Sequence, residues 1–145
     1  MKAVRKFEEF ISNGIVKQQN INKPRAEFLT KESEKDYLCL IDMIKKLQVS
    51  DDYANTFVKS CYDIIMELIR AKMLLEGYNA SGIGAHEAEV SYMRVLGMKE
   101  KDVQFANQMR YFRNGMLYYG TILDKEYAEK VIEFTKRIYV FLKSC

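Results

Sequence analysis

The sequence predicts an all-α fold, an up-and-down helical bundle of four to five helices plus an N-terminal helix. Leu, Ile, Met, Lys and Glu recur at helical spacing, and alternating β-branched runs are nearly absent. One proline and seven glycines leave few interruptions in 145 residues. A chain of this length in one compositional regime builds one core. Within it, residues 1–22 read as a helix and loop appended to a bundle that occupies residues 23–145.

The first helix, about Lys2 to Ser12, aligns Val4, Phe7, Phe10 and Ile11 and stops at Asn13-Gly14. Residues 13–22 carry no clear period and are expected as a loop. Pro24 suits the first turn of a second helix reaching about Leu47, with Phe28, Tyr37, Leu40, Ile41, Ile44 and Leu47 inward and the charged run Lys31 to Asp36 solvated. Ser50-Asp51-Asp52 caps a third helix that stops at Gly77. Its apolar residues, from Phe57 and Cys61 through Ile64, Ile65, Leu68, Ile69 and Met73, occupy nearly the whole circumference, so it is the expected centre of the bundle. A flexible connection from Gly77 to Gly84 leads into a short helix, about Ala85 to Leu96, closed by Gly97. A helix over about Lys101 to Tyr119 follows. The last, about Asp124 to Lys143, spaces Tyr127, Val131, Phe134, Ile138 and Phe141 at intervals of 4, 3, 4 and 3.

Several function classes are excluded at this level. No unbroken apolar run approaches the ~18 residues of a membrane span. The first residues turn charged before any apolar run develops, which is not the form of a signal peptide, so the expected location is cytoplasmic. Cys39, Cys61 and Cys145 are odd in number and form no CxxC pair; Cys39 and Cys61 read as small buried hydrophobes. Neither a metal site nor a cofactor is expected. The glycines around Ser81 lack the GxxxxGK[ST] pattern and a preceding strand, so they do not form a phosphate loop. A net charge of +3 does not argue nucleic-acid binding unless cations cluster locally.

Such a cluster exists on the fifth helix. Phe105, Met109, Phe112, Met116 and Tyr119 form its core stripe, and Asn107, Arg110, Asn114 and Tyr118 fall on the opposite face, with Arg113 on the flank. Arg110, Asn114 and Tyr118 are successive i, i+4 neighbours, whereas Arg113 and Tyr118 lie about 140° apart and flank a groove. Two copies meeting along this face on a twofold axis would line one cleft with these residues from both chains. His86, the only histidine, stands at the start of the short helix and reads as a cap or packing residue, with no Asp or Ser partner evident from spacing.

The order of parts, a helix ending in AKMLLEGYNASGIGAHEAEVSYMRVLG and then a helix with RYFRNGMLYYG, resembles the HEPN domain (higher eukaryotes and prokaryotes nucleotide-binding) over roughly residues 24–143. Gly77-Tyr78, the turn from Ser81 to Gly84, and His86 stand where family members often carry a Gly-Tyr, a Ser/Gly-rich turn and a histidine. The resemblance implies a homodimer of helical bundles that binds RNA or a nucleotide. It also implies a place in a toxin–antitoxin system or beside a minimal nucleotidyltransferase partner. Many members are metal-independent ribonucleases whose signature is an arginine, a polar residue and, four to six residues on, a histidine. Arg113-Asn114 match the first half, and Tyr118 stands where the histidine would fall. Arg113 suits the phosphorane charge, but a tyrosine, with a reference pKa of about 10, is a poor base. The expected function is therefore RNA or nucleotide binding at a dimer cleft by Arg110, Arg113, Asn114 and Tyr118, without cleavage. The alternatives are an active ribonuclease using Arg113 with Tyr118 or His86, and a structural helical dimer that scaffolds a protein partner.

Overall fold

The computed structural model describes residues Met1–Cys145. In chain order it contains α1 (Phe7–Ser12), β1 (Val16–Gln18), α2 (Lys23–Leu47), α3 (Ala54–Leu75), β2 (Tyr78–Ala80), α4 (Ala85–Val95), α5 (Glu100–Tyr119) and α6 (Lys125–Ser144). The fold is the expected all-α bundle, and α3 is its centre. Helices α2, α4, α5 and α6 all pack on α3, and 13 of its 22 residues are buried. An amide left unpaired at such a site costs a large part of a hydrogen bond, so only a continuous helix is stable there. None of the helices is long and apolar enough to cross a membrane.

Helix ends follow the capping residues. The Asn22 side chain accepts from the Arg25 amide with Pro24 beside it, and Asp124 accepts from the Tyr127 amide. The α5–α6 turn is held across the bundle. Asn55 on α3 donates to the Thr121 carbonyl and accepts from the Leu123 amide, both at 2.8 Å.

Four local expectations change. The stretch read as a loop holds β1, and the glycine-rich connection begins with β2, the two pairing antiparallel with Val16 opposite Ala80 and Gln18 opposite Tyr78. Strands of three residues are too short to show alternation, so the pairing rests on Val16, which is buried, and on Gly77. Gly77 has φ +80°, and a Cβ there would meet the Gln19 carbonyl oxygen at 2.5 Å. On α2 the buried stripe is Ala26, Leu29, Ser33 and Leu40, and Phe28 and Leu47 are exposed. Small residues let α2 approach closely enough for the Ser33 hydroxyl to donate to the Ile64 carbonyl at 3.0 Å, a seam that hydrophobicity alone does not mark. Cys61 is buried as expected, its thiol pushed up to about 12 by burial, but Cys39 is exposed. On α5, Tyr119 is exposed because the last turn projects past the core, and Asn107 is buried, accepting from Arg110 and donating to the Met1 sulfur.

The N-terminal segment shares the main core. Val4, Phe7 and Phe10 belong to the same buried cluster as α3, and Phe7 meets Tyr78 and Tyr92 edge-on at 5.1 and 4.9 Å. Arg94 donates to the carbonyls of Val4 and Arg5, and Arg5 pairs with Glu87 at 3.0 Å, so the chain before α1 is tied to α4. Phe10 has no exposed surface. Replacing it with alanine is expected to cost about 3–5 kcal/mol in urea unfolding, and a cost under about 1 kcal/mol would mean the segment packs only superficially.

Candidate functional site

Asp63, Glu67 and Arg70 are spaced i, i+4, i+7 on α3, so they lie on one stripe of the central helix. The stripe opens into a cavity of about 290 Å³ bordered by four helices. Asp36 comes from α2; Tyr62, Asp63, Met66, Glu67 and Arg70 from α3; His86 from α4; Arg113 and Asn114 from α5. That volume lies at the lower end of the ~300–1,000 Å³ typical of small-ligand sites.

One side is built around a buried ion pair. Arg70 donates to both oxygens of Glu89 at 2.6 and 3.0 Å, and Glu89 is only 3% exposed. Burial by itself would raise the Glu89 carboxyl, but hydrogen bonds from His86 and Arg70 hold it below the usual carboxylate value. His86 Nδ1 lies 3.3 Å from the same carboxylate, which assigns the proton to Nδ1 and leaves Nε2 as the acceptor.

On the α5 side, Arg113 Nε lies 3.3 Å from Asp63 Oδ1, and its guanidinium sits 5.7 Å over the Tyr62 ring. The pair is electrostatic: its geometry does not form a hydrogen bond, and the buried Nε–H has no partner. Between the two sides, burial pushes the Glu67 carboxyl up to about 8, reinforced by its hydrogen bond to Asp36 and by the charges of Asp36, Asp63 and Glu32. At neutral pH the raised value keeps the Glu67 carboxyl largely in its neutral form. Burial also raises the Tyr62 hydroxyl, which stays a neutral donor.

Three buried side-chain polar atoms in this protein lack a hydrogen-bond partner, namely Tyr62 Oη, Glu67 Oε1 and Arg113 Nε, and all three belong to residues of this one cavity. Each unpaired group costs about 1–3 kcal/mol, and native interiors hold few of them. Their concentration in one place makes this cavity the candidate site.

The structure brings together two of the four residues singled out on the fifth helix. Arg113 and Asn114 border the cavity. Arg110 donates to Asn107 at 2.8 Å and stands outside the lining, and Tyr118 is 75% exposed and also outside it. His86 joins the site, and its partner there is Glu89 at i+3, which the sequence reading did not pair with it. Asp36, Tyr62, Asp63, Glu67, Arg70 and Glu89 were not anticipated; the 63/67/70 spacing was the available signal for three of them. No group of three or more His, Cys, Asp or Glu side chains is arranged to hold a metal ion.

Fold and site define an all-α bundle protein with a mixed-charge cavity at the meeting of four helices. Comparison with protein-family models, with curated proteins and with solved structures gives no match.

The raised Glu67 carboxyl has a definite sign in stability. Between its unfolded value of about 4.3 and its folded value of about 8, the native state holds a proton that the unfolded chain has lost. Stability from this group is complete at low pH and is lost as pH rises through that window. The melting temperature of Glu67→Gln is expected to match wild type near pH 5 and exceed it near pH 9; parallel profiles would contradict the raised value.

Proposed function

We propose that the cavity binds the phosphate and sugar of a nucleotide, as RNA or as a free nucleotide, in an HEPN-like module. The observation that carries this reading is the convergence of the three unpartnered polar atoms on one cavity. Arg113 supplies a permanently charged donor to phosphate oxygens, and the Tyr62 hydroxyl and the Asn114 amide add neutral donors. The HEPN resemblance extends the reading to a homodimer that covers the exposed Tyr111, Leu117, Tyr118 and Ile122, and to a nucleotidyltransferase or antitoxin partner.

A second reading, RNA cleavage, is favoured by His86. Its ring is oriented by a buried carboxylate that is itself held by Arg70, the arrangement that makes an imidazole a directed base. In this reading His86 Nε2 takes the proton of a ribose 2′-hydroxyl and the 2′-oxygen bonds to phosphorus. The bond to the 5′-oxygen then breaks, that oxygen is protonated from solvent, and Arg113 faces the phosphorane charge. Tyr118 has no part in it.

Purified protein incubated with total RNA tests both readings. Arg113→Ala is expected to weaken binding about 10- to 100-fold, the range of a lost charged hydrogen bond. Tyr118→Phe should leave binding unchanged. Under the cleavage reading, His86→Ala abolishes product while RNA is still bound. A wild-type protein that binds neither RNA nor mononucleotides would overturn both.

A further inference from the structure

The arginine end of the cavity carries more charge than its protein partners absorb. Tyr62 is only 5% exposed and its hydroxyl has no partner. The charged neighbours of that hydroxyl are Glu89 and three arginines, Arg110, Arg113 and Arg70; Asp36 and Glu67 are not among them. Arg70 and Glu89 match each other through two hydrogen bonds. Arg113 is matched only loosely, since it lies 3.3 Å from Asp63 without a hydrogen bond and the Asp63 side chain is 50% exposed. Arg110 has no acidic partner at all. Its Nε donates to the neutral Asn107 amide, and Glu87, on which its charge acts, is already held by Arg5 through both oxygens.

Spacing on α5 puts this free charge beside the site. Arg110 precedes Arg113 by three residues and Asn114 by four, so the three are neighbours on one helix face, and the latter two border the cavity. Arg113 in turn sits over the Tyr62 ring at 5.7 Å. The open donors are therefore the Tyr62 hydroxyl, the Arg113 Nε–H and the terminal nitrogens of Arg110, which donate to nothing in the protein.

Two properties of this set select the kind of phosphate. The first two donors are buried, so a phosphate reaches them only by entering a cavity of about 290 Å³, and one that bridges two nucleosides would have to bring both along. A phosphate at the end of a molecule enters alone, presents three free oxygens instead of two, and carries nearly two negative charges at neutral pH instead of one. Once it displaces the exposed Asp63 carboxylate, the charges of Arg110 and Arg113 together balance it. Resting on the phosphate-binding reading, we propose that Arg110 and Arg113 grip a terminal phosphate, that of a free nucleotide or of an RNA end, and that Arg110 makes the site prefer it to a bridging phosphodiester.

The test is a binding titration of AMP against its phosphate methyl ester, which keeps base, sugar and phosphorus and loses only the second charge and the third free oxygen. A second arm compares oligoadenylate carrying a 5′- or 3′-phosphate with the same strand ended in hydroxyls. In at least one arm the terminal phosphate is expected to bind about tenfold more tightly than its counterpart, the effect of one charged hydrogen bond. Arg110→Gln should remove that preference while leaving the methyl ester and the hydroxyl-ended strand within about twofold of wild type. Arg110→Lys, which restores the charge without the planar fork, should restore part of it. A preference seen with AMP identifies a free nucleotide as the ligand; one confined to the oligomers identifies an RNA end, and either supports the proposal. Equal affinity within both arms, or a preference that survives Arg110→Gln, overturns it while leaving phosphate binding at Arg113 standing. Failure of the wild-type protein to bind any of these ligands or inorganic pyrophosphate overturns the underlying reading instead.

Discussion

The enclosure of α3 is the constraint from which the rest follows. A helix packed by α2, α4, α5 and α6 keeps only a narrow outward stripe on which to carry polar residues. Asp63, Glu67 and Arg70 share that stripe. The surrounding helices meet around that stripe without closing over it, and the gap is the cavity. The site is thus a property of how α2, α4 and α5 fit round α3, and its position is set by the same burial that stabilises the fold.

The Arg70–Glu89 pair shows what those charges do. Burying an ion pair gains little net stability, since desolvation offsets most of the Coulomb attraction, and removing one partner leaves a charge stranded in the interior. Two hydrogen bonds at 2.6 and 3.0 Å fix α4 to α3 at that point and hold Glu89 where His86 Nδ1 reaches it. The neighbouring residue Glu87 is held by Arg5, and Arg94 on the same helix grips the backbone of Val4 and Arg5. Helix α4 is therefore pinned from both sides, by α3 and by the N-terminal segment, and the imidazole inherits that rigidity.

The helices were legible because long apolar stripes, such as Val131, Phe134 and Ile138 on α6, leave a period that no other structure shares. The β1–β2 pair was not, since three residues per strand carry no period and the pairing partner lies about sixty residues away. The seam of α2 was misread at Phe28 because helix contact there is made by Ala26 and Ser33, whose value is smallness and not hydrophobicity. The site divides in the same way. Arg113 and Asn114 could be placed on a helix face from spacing alone, but the meeting of Asp36, Glu67, His86 and Arg113 joins four helices distant in sequence, which no local pattern encodes. Ideal helical angles also put Tyr118 near the groove, whereas the real end of α5 runs out beyond its neighbours and leaves that ring in solvent.

Charge balance in the cavity separates attraction from recognition. Arg70 is matched by Glu89 and Arg113 by Asp63, while burial raises the Glu67 carboxyl. Such a site projects no strong positive field, so it does not collect polyanions from a distance as a lysine-rich surface does. A preference among ligands at such a site would arise at contact, at Tyr62 Oη, Glu67 Oε1 and Arg113 Nε. A bare anion satisfies the donors and leaves the carboxyl facing it; a neutral sugar does the reverse. Any ligand that leaves one side unpaired would bear the cost of a buried polar group without a partner, which is the physical basis for choice at such a site.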